Sequence, residues 1–187
     1  MTYTLVTGTG RSGTTSAFNI LTQLGLSCGV QERQPGEDAA VSALGFVANF
    51  SGWGNVIAQV REPLACIRSL HTTKNPLRLE TVTTETGNGS RLHNAMLYYY
   101  YANVWIQDHL RPALTYRTDD LAIAVARSFA LDLESCQSVV AAHSRDNSRD
   151  HSLRYPHDLT WGDLQNEDRE IASRCQEFWQ SIPRLSS

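Results

Sequence analysis

The chain has 187 residues, 41% of them hydrophobic and 19% charged, with a formal net charge of −3. That length suits one domain, residues 1–187, around one core, and the composition is ordinary for a soluble globular protein. A slightly negative chain has no general attraction for nucleic acid or an anionic membrane, so any polyanionic ligand has to be held by local basic residues.

The N-terminus runs directly into Tyr3-Thr4-Leu5-Val6, without a charged leader or a long apolar stretch, so neither signal peptide nor membrane anchor is expected and the default setting is cytoplasmic. Thr4 to Thr7 is a short β-branched and apolar run that ends at glycines, and Ser16 to Leu26 places Phe18, Leu21 and Leu24 at helical spacing. This predicts strand, glycine loop, helix. Pro35-Gly36-Glu37-Asp38 reads as a helix start, so residues 36–50 are expected to be helical at first and then irregular. Asn55 to Val60 is a nearly continuous apolar run of the kind buried on both faces of a parallel sheet, with Pro63 suited to the first turn of a following helix. Residues 72–90 are rich in Thr, Asn, Gly and Glu without periodicity and read as a mobile surface segment.

One long helix is predicted from Arg91 to Leu110, ended by Pro112. Within it Leu97, Tyr101 and Trp105 form a stripe at four-residue spacing assigned to the core, while Tyr98, Tyr99 and Tyr100 fan out around the rest. Ala113 to Arg117 reads as a strand, Asp119 or Asp120 as the cap of a helix through Ala130, and Leu133 to His143 as a further helix. Ser144 to Pro156 has loop composition with a local positive excess from Arg145, Arg149 and Arg154, and Leu159 to Leu164 leads to a last helix near Asn166 to Gln180. Strands alternating with helices indicate an α/β protein of three layers, a central parallel β-sheet flanked by helices, with its ligand at the strand C-termini.

Cys28, Cys66, Cys136 and Cys175 are scattered without a C-x-x-C pair and read as buried thiols rather than a zinc site or a disulfide framework. No metal is expected, although Asp146, Asp150, His151, His157 and Asp158 could bind one opportunistically.

The run Thr7-Gly8-Thr9-Gly10-Arg11-Ser12-Gly13-Thr14-Thr15 carries the chemistry. Glycines opening a helix direct several backbone N–H groups and the positive end of the helix dipole toward one point, where an anion belongs. Against the nucleoside-triphosphatase pattern G-x-x-x-x-G-K-[ST], Gly8, Gly13 and Thr15 match, but Thr14 stands where the lysine should be. That lysine reaches the β- and γ-phosphates, so its absence disfavours triphosphate chemistry and leaves Arg11 as the loop's cation.

The segment Arg11-Ser12-Gly13-Thr14-Thr15 resembles the 5′-phosphosulfate loop of sulfotransferases that use 3′-phosphoadenosine-5′-phosphosulfate. Arg61-Glu62-Pro63-Leu64-Ala65-Cys66-Ile67-Arg68-Ser69 looks like the family's 3′-phosphate motif, with the serine eight positions after the arginine. Gly29-Val30-Gln31-Glu32 is similar to the segment that carries the general base in tyrosylprotein-type relatives, Glu32 lying twenty-one positions after Arg11. The resemblance implies a P-loop-like sulfotransferase fold and sulfuryl transfer to a hydroxyl or amine of an unidentified small-molecule, glycan or peptide acceptor. It assigns Glu32 and Arg11 to catalysis. Gly10, Arg11, Ser12, Gly13, Thr14, Thr15, Arg61 and Ser69 hold the cofactor, with Arg149 and Arg154 standing in for a C-terminal cofactor motif. His71 is an alternative base. The chain departs from the family in its shortness and in Gln31, where bacterial relatives often have His. A small P-loop kinase using ATP and magnesium, or a nucleotide-binding module without catalysis, are the competing readings.

Overall fold

A computed structural model describes residues 4–30, 39–43, 54–72, 79, 83, 89–154 and 159–186, excluding the side chains of residues 30, 42–43 and 144–154. Five strands, β1 (Thr4–Gly8), β2 (Cys28–Val30), β3 (Ala39–Ala43), β4 (Asn55–Val60) and β5 (Leu114–Arg117), form one sheet in the order β2-β3-β1-β4-β5. Every pairing is parallel, with Val6 opposite both Val41 and Ile57, and Ile57 opposite Leu114. The strands predicted at residues 4–7, 55–60 and 113–117 are observed within a residue of those bounds.

Helices cover both faces of the sheet. Against one face lie α1 (Thr14–Gln23), α4 (Leu121–Phe129) and α5 (Leu133–Arg154), packed with Val6, Val41, Ile57 and Tyr116. The opposite face, with Ala58 and Val60, carries α2 (Pro63–Thr72), α3 (Arg91–Trp105), α6 (Trp161–Glu167) and α7 (Arg169–Ser181). Neighbouring residues of β4 thus serve opposite cores, as the two-residue period of a strand requires. Leu5, Val6, Ile57 and Val60 are at most 1% exposed, and full burial of such a side chain is worth about 1.5–3 kcal/mol.

Several expectations are corrected. Residues 39–43 form β3 rather than a helix: Ala39-Ala40-Val41 is small enough to be buried between β1 and β2, and this pairing overrides the helical propensity of alanine. Residues 36–38 and 44–50 lie outside the described residues. The predicted loop from Ser144 is helical backbone as far as Arg154, because the chain has neither glycine nor proline between Leu133 and Tyr155 to stop α5.

Most of the segment 72–90 also falls outside the described residues, but Leu79 within it is buried in the core beside α2 and α3. The long helix ends in a π turn, Ile106–Leu110, before Pro112. Its buried side includes Ala95, Met96, Tyr99 and Ala102, with Leu97 and Tyr98 also buried and Tyr101 and Trp105 only half-buried. A four-residue stripe drifts around a 3.6-residue helix, so the steps of four and three between Ala95, Tyr99 and Ala102 track the core better. Asp120 sits at the N-cap of α4 without capping it. Its carboxylate instead accepts from the Leu185 N–H at 3.2 Å and pairs with Arg184 at 3.5 Å. The last helix is two: the chain extends at Asp168, whose side chain caps α7.

Candidate functional site

β1 and β4 are adjacent and parallel, but the helix after β1 lies on one face and the helix after β4 on the other. The two connections therefore diverge and leave a crevice at the strand C-termini, where α/β sheets bind ligands. The loop Thr9–Gly13 and the segment from Arg61 both enter this crevice.

Glycine is required at two loop positions. A Cβ on Gly8 would stand 2.3 Å from Ser12 Oγ and 2.7 Å from the Gln59 carbonyl oxygen, closer than packed atoms approach. Gly13, the N-cap of α1, has φ +99°, in the left-handed region that a side chain disfavours. Gly10 is under no such demand, since its added Cβ would meet Tyr98 and Leu70 at ordinary contact distances of 3.6–3.9 Å.

The loop is held by β4, by α2 and by the connection between them. From β4, the Gln59 amide nitrogen donates to the Ser12 carbonyl at 3.2 Å and faces Ser12 Oγ at 3.4 Å, while its oxygen accepts from the Tyr116 hydroxyl at 3.0 Å. Just past β4, the Arg61 guanidinium donates to the Arg11 carbonyl at 3.2 Å. In α2, the Cys66 thiol donates to the Gly10 carbonyl at 3.7 Å and lies 3.7 Å from Thr9 Oγ1. Burial pushes that thiol up to about 11, with the Thr9 contact working weakly against it. Tyr99, from α3, donates to the Arg61 carbonyl at 2.9 Å, and burial raises its phenol well above the ordinary range. None of these supporting roles for Gln59, Cys66, Tyr99 and Tyr116 was read from the sequence. Gln59 carried the one available signal, an amide between Ala58 and Val60 near the end of an apolar run.

Motif residues far apart in sequence meet here. Arg11, exposed and with φ 68°, donates through Nε to Ser69 Oγ at 2.9 Å, and Ser69 is itself 3% exposed. Arg11, Arg61 and Ser69 therefore converge, and among the described residues no carboxylate pairs with Arg61. The neighbouring Glu62 is occupied otherwise: its carboxylate accepts from the Leu64 N–H at 3.0 Å and the Ala65 N–H at 2.7 Å, capping α2, with Pro63 in the first turn as expected.

The N–H groups of Gly13, Thr14 and Thr15 have no backbone acceptor among the described residues, the first helical bond running from Ala17 to Gly13. Ser12 is turned inward, its N–H bonded to the Thr9 carbonyl at 3.1 Å and its side chain fully buried against Gln59. Thr14 is buried and Thr15 exposed.

Glu32 lies outside the described residues; the strand that leads to it, β2, ends at Val30 on the C-terminal edge of the sheet, the edge that also carries the loop. Arg149 and Arg154 belong to α5, with side chains outside the description. His71 occupies the last turn of α2, its Nδ1 buried without a hydrogen-bond partner. Among the described residues no cluster of His, Cys, Asp or Glu could hold a metal ion, and no helix is long and apolar enough to cross a membrane. Compared with known proteins, the chain matches no protein-family model and no curated sequence.

Proposed function

We propose that the chain is a sulfotransferase of P-loop-like fold that moves a sulfuryl group from 3′-phosphoadenosine-5′-phosphosulfate to a hydroxyl or amine of its acceptor. The observation that carries this reading is the convergence of Arg11, Arg61 and Ser69 beside the open N-terminus of α1. The Arg61 guanidinium and the Ser69 hydroxyl suit a phosphate dianion, three N–H groups at a helix start suit a second anion, and Arg11 lies between the two. A second anion site beside the loop suits a nucleotide phosphorylated at both 3′ and 5′ positions, and Thr14 in the lysine position argues against a triphosphate.

In this reading the donor supplies an already activated sulfuryl group. The N–H groups of Gly13, Thr14 and Thr15, with the Thr15 hydroxyl, hold the 5′-phosphate. Arg61 and Ser69 hold the 3′-phosphate, and Arg11 stabilises charge developing on the bridging oxygen. Glu32 accepts the proton of the acceptor, a contribution of about 10²–10⁴-fold for a well-placed base. Binding measurements on variants test the assignment. Arg61→Ala weakens 3′,5′-bisphosphoadenosine by about 10- to 100-fold, the cost of a charge-assisted hydrogen bond, with little loss for 5′-AMP. Glu32→Gln leaves both affinities intact. Equal losses for the two ligands in Arg61→Ala would remove Arg61 from a 3′-phosphate site.

A further inference from the structure

Gln59 is 1% exposed, follows the apolar run Val56-Ile57-Ala58 in β4, and its amide is used at both ends. The Ser12 carbonyl can only accept, so the amide end facing it must be the NH₂. The oxygen is then left to Tyr116, whose hydroxyl, in a side chain that is 0% exposed, must donate. Tyr116 thereby locks the orientation of the amide.

The Ser12–Gly13 peptide is trans, so its C=O and N–H point in opposite directions. Drawing the Ser12 oxygen toward β4 turns the Gly13 N–H away from the sheet, at the N-cap of α1, where no described backbone carbonyl accepts it. A fixed orientation is needed here because Gly13 tolerates either sign of φ, so the peptide can flip at small local cost. Flipped, it would present a carbonyl oxygen to the anion and repel it.

We propose that Gln59, locked by Tyr116, is a positioning residue that sets the Ser12–Gly13 peptide plane and aims the Gly13 N–H at the bound anion. The inference rests on the loop being a phosphate site, as read above. It acts through the backbone, so no side chain of the pair has to touch the ligand.

The test uses the full chain carrying Gln59→Met, and the double variant Gln59→Met/Tyr116→Phe. Replacing both polar partners by apolar groups of similar shape avoids leaving the phenol unsatisfied, so the double variant keeps the fold even if the single one does not. Titration with 3′,5′-bisphosphoadenosine is followed by calorimetry and by the Gly13 amide resonance, with thermal melting as the control for folding. The expected result is an affinity loss of about 10-fold or more, the value of one hydrogen bond to a charged group. The ligand-induced displacement of the Gly13 resonance should disappear while melting remains cooperative. A folded double variant with wild-type affinity and a wild-type Gly13 response overturns the proposal. Should the wild type ignore bisphosphoadenosine while its Gly13 amide responds to inorganic pyrophosphate and the variants' does not, the sulfotransferase reading fails and the positioning role stands. No Gly13 response to either ligand overturns both.

Discussion

Arg11 holds a backbone φ of 68° where glycine would be easier, a left-handed conformation that costs a residue with a side chain roughly 1–2 kcal/mol. The chain keeps arginine there, and its guanidinium meets Ser69 fifty-eight residues away. Arg111 and Ala130 adopt the same conformation at helix ends, with φ 46° and 52°, so what sets Arg11 apart is its contact with Ser69 rather than the strain. Cys66, which holds the same loop from α2, gives a residue-scale prediction. Its thiol is displaced from 9.0 to about 11 by burial, so the native state retains a proton that the unfolded state releases. The sign follows from linkage: the contribution is complete below about pH 9 and is lost as pH rises through 11, each unit of displacement being worth about 1.4 kcal/mol. Denaturant melts between pH 8 and 11 should therefore show a smaller alkaline loss in Cys66→Ala than in the wild type. Parallel pH profiles for the two proteins would exclude Cys66 as a source of that loss.

At the scale of elements, the carboxyl-terminal helices were legible in composition but not in their break. Asp168 separates α6 from α7, accepts from the Glu170 and Ile171 N–H groups at 3.0 and 3.1 Å, and lies 3.5 Å from His93 at the start of α3. Asp168→Ala should cost about 1 kcal/mol, the usual value of an N-cap, and lower the melting temperature by about 2–4 °C. An unchanged melting temperature would show that the cap does not hold α7. The apolar runs of β1, β4 and β5 were readable because each ends at glycine or arginine. β3 was not, because three of its five residues are alanine and only its two neighbours make it a strand. The far half of α5 was hidden by its polarity, which imitates a loop until one notices that nothing stops the helix before Pro156.

For the whole molecule, one parallel sheet with a helical layer on each face brings the two motif segments together from opposite sides of the β1/β4 crevice. The chain beyond α7 returns to the same edge. Arg117, at the end of β5, donates to the Ile182 carbonyl at 2.9 Å and stacks its guanidinium over Trp179 at 4.7 Å, and the Leu185 N–H reaches Asp120. The convergence of Arg11, Arg61 and Ser69 was legible in the sequence as two cations and a hydroxyl flanking a glycine loop. Its support was not legible, since Gln59, Tyr99 and Tyr116 gain their roles only when residues thirty-eight or more positions apart become neighbours.

Calorimetric titration of the purified chain measures directly whether the crevice takes the bisphosphorylated nucleotide proposed for it. With Thr14 in place of the lysine and Arg61 and Ser69 beside the loop, 3′,5′-bisphosphoadenosine should bind more tightly than ATP with magnesium. Tighter binding of ATP–magnesium would overturn the sulfotransferase reading and favour a phosphotransferase.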